Sequence, residues 1–174
     1  MGELGDRLIA ASYLEGDFVL RSGARSKYYL DKYLFETQPD LLRDLAAGLG
    51  ERLPAYEPFD LLAGPELGAV ALVTALALVS DKPFVIVRKT EKDYGTKRLF
   101  EGRAEAGQRV VVVEDIVTSG GAALQAVRVL REAGLDVRGV LCVVNREQGG
   151  AAAFEAEGVR LEWLFTSSAL GIKV

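Results

Sequence analysis

Two carboxylates, two hydroxyls and two glycines stand close together in Glu114-Asp115-Ile116-Val117-Thr118-Ser119-Gly120-Gly121-Ala122, directly after Val110-Val111-Val112-Val113. An unbroken valine run reads as a strand buried on both faces. A Thr-Ser-Gly-Gly loop opening a helix offers free backbone N–H groups and a favourable helix dipole to a phosphate. Gly120 and Gly121 let the chain wrap closely, and the Thr118 and Ser119 hydroxyls add donors. The lysine and Ser/Thr of a nucleoside-triphosphate loop are missing at the required spacing. Acids repel phosphate, so Glu114 and Asp115 make chemical sense against hydroxyls or a developing cation. A sugar 5-phosphate meets both demands, with its phosphate in the loop and its ribose hydroxyls on the acids.

Other chemistries are excluded by composition. The chain has 174 residues and no histidine, which removes imidazole acid–base catalysis and His-ligated zinc. Its single cysteine, Cys142, removes internal disulfides and thiolate clusters, and fits a reducing compartment. A net charge of −4 argues against bulk attraction to nucleic acid or anionic membrane. Any anion must therefore meet a local basic cluster. Arg88, Lys89, Lys92, Lys97, Arg98 and Arg103 supply one, in a connection of about twenty residues that is too long for a plain turn.

These groups need a scaffold, and the hydrophobic pattern describes one. Helical periodicity runs over residues 4–11 and 41–53, the second bounded by Thr37, Pro39 and Pro54. Short strands are expected at 17–20 and 28–30, around a Ser22-Gly23-Ala24-Arg25 turn. Buried-type strands follow at 61–63, 84–87, 110–113, 137–144 and 161–165. A core helix is expected over 67–79 and another over 122–133, with Gly134 as its C-cap. The β-α-β-β-α-β order predicts a doubly wound α/β domain, a single unit over residues 1–174. The 67–79 run is too short for the roughly 20 residues of a membrane span. No basic, apolar leader is visible at the N-terminus, so a soluble cytoplasmic protein is expected.

The stretch 110–122 resembles the phosphoribosyl-pyrophosphate (PRPP) signature of the type I phosphoribosyltransferases. Two further segments are similar to the orotate phosphoribosyltransferases within that group. They are Phe18-x-Leu20-x-Ser22-Gly23-x-x-Ser26-x-Tyr28-Tyr29-x-Asp31, and Arg88-Lys89-x-x-Lys92-Asp93-Tyr94-Gly95. The likeness covers roughly residues 18–150. It implies the type I phosphoribosyltransferase fold: a mainly parallel central sheet flanked by helices, a small N-terminal hood over about 1–35, and a mobile catalytic loop over about 88–104.

The resemblance also implies roles. Glu114, Asp115 and Lys92 would be the catalytic residues, the acids on the ribose hydroxyls and Lys92 on the departing pyrophosphate. PRPP would be bound by Arg21, Arg88, Lys89, Lys92, Tyr94, Glu114 and Asp115, and by the 116–122 loop of Ile116, Val117, Thr118, Ser119, Gly120, Gly121 and Ala122. Orotate would meet Tyr28, Tyr29, Thr118 and Arg146, whose guanidinium fork suits a carboxylate. Mg²⁺ would be held mainly by substrate, with no dedicated protein ligand. A homodimer is implied, with the catalytic loop reaching the neighbour's site. Gly64-Pro65-Glu66-Leu67-Gly68 stands at the pyrophosphate-side loop, where some members carry a lysine and this chain has none. Arg21 stands where lysine is often found and Tyr94 where histidine is frequent; Lys97 or Arg98 could compensate. A uracil or purine phosphoribosyltransferase is the alternative within the family. Arg146 discriminates, because uracil has no carboxylate to pair with it. An RNA-binding regulator that keeps the motif as a sensor would need a basic face elsewhere, which this chain lacks.

Overall fold

The computed structural model describes residues 2–19, 23, 25–89 and 99–172. The N-terminal part comprises α1 (Glu3–Ser12), the strands β1 (Tyr13–Val19) and β2 (Arg25–Leu30), α2 (Lys32–Glu36) and α3 (Pro39–Gly50), followed by a 3₁₀ turn at Leu53–Tyr56. Alternation then begins: β3 (Leu61–Pro65), α4 (Ala69–Ser80), β4 (Phe84–Val87), β5 (Phe100–Glu101), β6 (Arg109–Val117), α5 (Gly121–Glu132), β7 (Asp136–Asn145), α6 (Gly150–Ala156) and β8 (Leu161–Thr166).

Six strands form one sheet in the order β5-β4-β3-β6-β7-β8. All neighbours are parallel except β5, which pairs antiparallel with β4 at the edge. β1 and β2 form a separate antiparallel hairpin, the hood. The chain builds outward from β3 to β4, then crosses back to lay β6 on the other side of β3. Such a reversal opens a crevice at the carboxyl ends of the two central strands, where ligands of open α/β sheets gather. The register shows the crevice opening. β3 pairs with β6 only from Leu61–Val110 to Ala63–Val112, whereas β7 stays paired with β6 as far as Val117–Asn145. Beyond Val112, one edge of β6 has no ladder partner among the described residues.

The valine run is buried on both faces. Val111 and Val113 pack with Leu41, Leu45, Leu72 and Leu76 beneath the α1–α4 layer. Val110 and Val112 pack with Leu124, Val127, Leu130 and Phe154 of α5 and α6. Asp115 reaches the face of Val111 and Val113, where it meets Lys32 of α2; past it the alternation breaks, with Ile116 in that layer and Val117 in the α5 layer.

The expected doubly wound, mainly parallel architecture is present, with four differences. β6 does not stop at Val113: its ladder with β7 continues, so both acids lie inside the strand. β1 begins at Tyr13, directly off the end of α1, and pairs back to Leu30. The apolar run at 67–79 enters its helix only at Ala69, and that helix covers the sheet with one face while Leu78 and Val79 stay exposed. The short elements α2, α6 and β5 carry too few residues to show a period. No described helix is long and apolar enough to cross a membrane.

Candidate active site

Glu114 and Asp115 lie in the carboxyl-terminal half of β6, at 6% and 2% exposure. An isolated carboxylate so placed is strongly disfavoured and either pairs or takes up a proton. Asp115 pairs: its Oδ2 accepts from Lys32 Nζ at 2.6 Å. For Glu114, burial, reinforced by the Asp115 charge, pushes the carboxyl well above the usual range. Its backbone neighbours are Cys142 and the Asp115 amide, which donates to Glu114 Oε1 at 3.2 Å. Cys142 is buried, and burial also raises its thiol, so it offers no thiolate nucleophile.

The loop beyond β6 is built for close approach. Thr118 and Ser119 are exposed, and Gly120 takes a left-handed φ of +82° before α5. A side chain at Gly120 would stand 2.9 Å from the Phe154 ring. No side chain caps α5, so the first N–H groups of Gly121, Ala122 and Ala123 remain available. Val117 contributes backbone only, being buried in the α5 layer, and Ile116 packs on the opposite face. The 116–122 segment therefore supplies amides and two hydroxyls.

Across the crevice, Arg146 follows β7 and its Nη2 donates to the Tyr28 hydroxyl of the hood at 2.7 Å. The guanidinium also lies over the Tyr28 ring at 5.2 Å, and Tyr13 stacks behind that ring at 5.5 Å. Arg146 Nε is buried with no partner among the described residues. A fork with one unused donor and a flat aromatic beside it suits a planar carboxylate. Tyr29 is not brought to this point. Adjacent strand residues face opposite ways, and Tyr29 packs outward on Phe18 at 5.6 Å.

Arg88 and Lys89 stand at the carboxyl end of β4. The Lys89 amide donates to Glu66 Oε1 at 2.8 Å, which ties the basic segment to the turn after β3. Arg88 Nη1 lies 3.4 Å from Glu101 Oε1. Arg21, Lys92, Tyr94, Lys97 and Arg98 lie outside the described residues. Among the described residues, no three acidic or thiol side chains converge where a metal ion could sit.

Two site residues escaped the sequence reading, and a third was read only as part of the pyrophosphate-side loop. Lys32 and Glu36 stand one turn apart on α2, and their spacing was the available signal. Although burial opposes its charge, the Asp115 carboxylate holds the Lys32 ammonium above its ordinary value. Glu36 is 3% exposed, and its Oε1 has no partner among the described residues. Burial, with the Asp115 charge second, pushes its carboxyl up to about 9. The third is Gly68: a Cβ there would lie 2.0 Å from Asp115 Oδ2 and 2.1 Å from Lys32 Nζ. Only glycine lets the turn after β3 close onto that ion pair.

Comparison with known proteins gives the same reading. Residues 36–154 match the phosphoribosyl transferase domain family. The chain is 46% identical over 169 residues to an orotate phosphoribosyltransferase of Natronomonas pharaonis, covering 97% of this chain and 95% of that one. It is 46% identical over 155 residues to one of Methanocella arvoryzae, covering 89% and 87%. Among solved structures, the Mycobacterium tuberculosis H37Rv orotate phosphoribosyltransferase in complex with 5-phospho-α-D-ribosyl 1-diphosphate superposes with a TM-score of 0.82. It shares 32% identity, and the match covers 98% of each chain. With a switch-point crevice, buried acids and an uncapped phosphate loop already in place, the chain belongs to the phosphoribosyltransferase family, among its orotate phosphoribosyltransferases.

Proposed function

We propose that the crevice at the carboxyl end of β6 transfers ribose 5-phosphate from PRPP to orotate, giving orotidine 5′-monophosphate and pyrophosphate, in pyrimidine nucleotide synthesis. The observation that carries this reading is the juxtaposition at one strand end: a buried acid pair, an uncapped amide loop and, across the gap, the half-free guanidinium of Arg146. The 5-phosphate takes the amides and hydroxyls of 118–122. The ribose hydroxyls take Glu114 and Asp115. As the C1–O bond breaks, the ring becomes oxocarbenium-like, and the Asp115 carboxylate stabilises that charge. Orotate enters beside Tyr28 with its carboxylate on Arg146, displacing the tyrosine hydroxyl.

Arg88, Lys89 and Lys92 clamp the pyrophosphate, with Arg21 and Tyr94 as further contacts. Tyr29 lines the outer side of the hood. Mg²⁺ would be held mainly by substrate oxygens and water, since no three acidic or thiol side chains among the described residues converge on a cation, and it would supply charge neutralisation for the leaving group. The working unit is a homodimer whose 88–104 loop reaches the neighbour's site, and the compartment is the cytoplasm.

Incubation with orotate, PRPP and Mg²⁺ tests the proposal through loss of orotate absorbance, with uracil and adenine as controls. Consumption of orotate alone supports it; use of uracil or adenine in its place refutes it. Mixing a Lys92→Ala subunit with an Asp115→Asn subunit tests the shared site: recovered activity supports action in trans, and none counts against it.

A further inference from the structure

Lys32 enters the crevice from the hood side, and no step of the proposed transfer uses it beyond its ion pair with Asp115. Its ammonium touches Asp115 at 2.6 Å and presses on the turn after β3, 2.1 Å from where a Cβ at Gly68 would stand. Gly68 is the cap residue of α4, and no side chain caps that helix. A cation against a helix N-terminus is electrostatically unfavourable unless an anion joins it. In the free protein that anion is Asp115. When sugar hydroxyls donate to Asp115, its charge is shared, and the ammonium requires another counter-charge.

Among the described residues, the surroundings favour none. Glu36, one turn along α2, and Glu114, beside Asp115, are both buried, and burial raises both carboxyls, which disfavours their charged forms. Lys32 itself keeps 30% side-chain exposure where Asp115 has 2%, so the pair is not sealed on the lysine side. It also lies on the correct side. The 5-phosphate loop begins past Val117, whereas Lys32 meets β6 at Asp115 and sits against Gly68 in the turn after β3. The Lys89 amide is tied to Glu66 in that same turn.

Resting on the phosphoribosyl-transfer reading, we infer that Lys32 is a further substrate-binding residue. Its ammonium passes from Asp115 to the pyrophosphate end of the substrate when the ribose engages the acids. No bond is made or broken in that exchange; one ion pair replaces another.

Calorimetry of Mg²⁺-PRPP and of orotidine 5′-monophosphate, which both bring a ribose 5-phosphate to the acids while only PRPP brings a pyrophosphate, tests this on native protein, Lys32→Met and Lys32→Arg. Lys32→Met should lose PRPP affinity by at least about tenfold, the scale of one charge-assisted hydrogen bond. Its nucleotide affinity should stay nearly unchanged, and Lys32→Arg should keep most of the PRPP affinity. Equal losses for both ligands would make Lys32 only a support for Asp115, and no loss would remove it from the site; either result overturns the inference. Should Lys32→Met fail to fold, native protein decides: PRPP must shield Lys32 from reductive methylation, and an unshielded Lys32 overturns the role. Native protein that binds neither ligand would contradict phosphoribosyl transfer itself, which is a separate failure.

Discussion

The two ends of β6 each carry a lysine or arginine paired with an aspartate, and the pairs are built on opposite plans. At the amino end, Asp60 and Arg109 form a closed fork. Arg109 Nε donates to Asp60 Oδ2 at 2.9 Å and Nη2 to Oδ1 at 2.6 Å, while the Arg109 amide adds a third bond at 2.8 Å. The hydrogen bonds from Arg109 hold the Asp60 carboxyl far below the usual carboxylate range. At the carboxyl end, Lys32 makes a single bond to Asp115, and two further acids beside them are raised instead of lowered. A satisfied pair joins a strand to its neighbouring loop and asks for nothing more. An under-satisfied cluster is unfavourable in the free protein and becomes favourable when a ligand supplies the missing donors. One end of the strand serves folding, the other serves the ligand.

Substitutions at the carboxyl end should therefore act on turnover first. Asp115→Asn should lower kcat by about 10²–10³-fold, the usual scale for removing one group that stabilises transition-state charge. Steady-state assay with saturating orotate and PRPP measures it, and retention of most activity would erase the distinction between the ends. Arg146→Ala should lower kcat/KM for orotate by roughly 10²-fold, as expected when one partner of a desolvated charge pair is truncated. The KM for PRPP should hardly move. Equal changes for both substrates would place Arg146 outside the base pocket.

The pH dependence separates the ends by sign. Native protein keeps a proton on Glu36 that the unfolded chain releases between pH 4.5 and about 9, so this acid withdraws stability as pH rises across that window. Urea unfolding of Glu36→Gln should show a flatter alkaline slope than the native chain, with the larger gain near pH 9. Unchanged slopes would mean that Glu36 is not the buried acid described. Asp60 works the other way. Its lowered carboxyl adds stability above the ordinary carboxylate value, and that stability is lost as pH falls through and below that value. Asp60→Asn should leave kcat intact, lower the melting temperature by a few degrees at neutral pH and lose that difference in acid. A drop in kcat would be the contradictory result.

The site's legibility follows from how its residues are joined. Glu114, Asp115 and the 118–122 loop are contiguous because one strand–turn–helix carries them, so pattern and chemistry appear together in the sequence. Lys32 meets Asp115 across 83 positions, and Arg146 meets Tyr28 across 118. Sequence periodicity holds no record of such meetings. Arg146 and Tyr28 were found through a resemblance, and Lys32 was not. The two tyrosines show a finer limit: neighbours in sequence, they diverge by strand alternation, Tyr28 to the guanidinium and Tyr29 to Phe18. For the fold, long apolar elements were visible, whereas α2 and β5 were too short for any period. The extent of β6 escaped because charged residues look like a strand end until the partner strand is known.

The central claim is that a sugar phosphate binds at the carboxyl end of β6, with amides at its phosphate and acids at its ring. Backbone amide NMR during titration with ribose 5-phosphate tests this most directly. The largest shifts should fall on Glu114–Asp115 and on 118–122, with Arg109 and Asp60 at the opposite end of the strand silent. Saturable shifts centred anywhere else, or none at all, would contradict it.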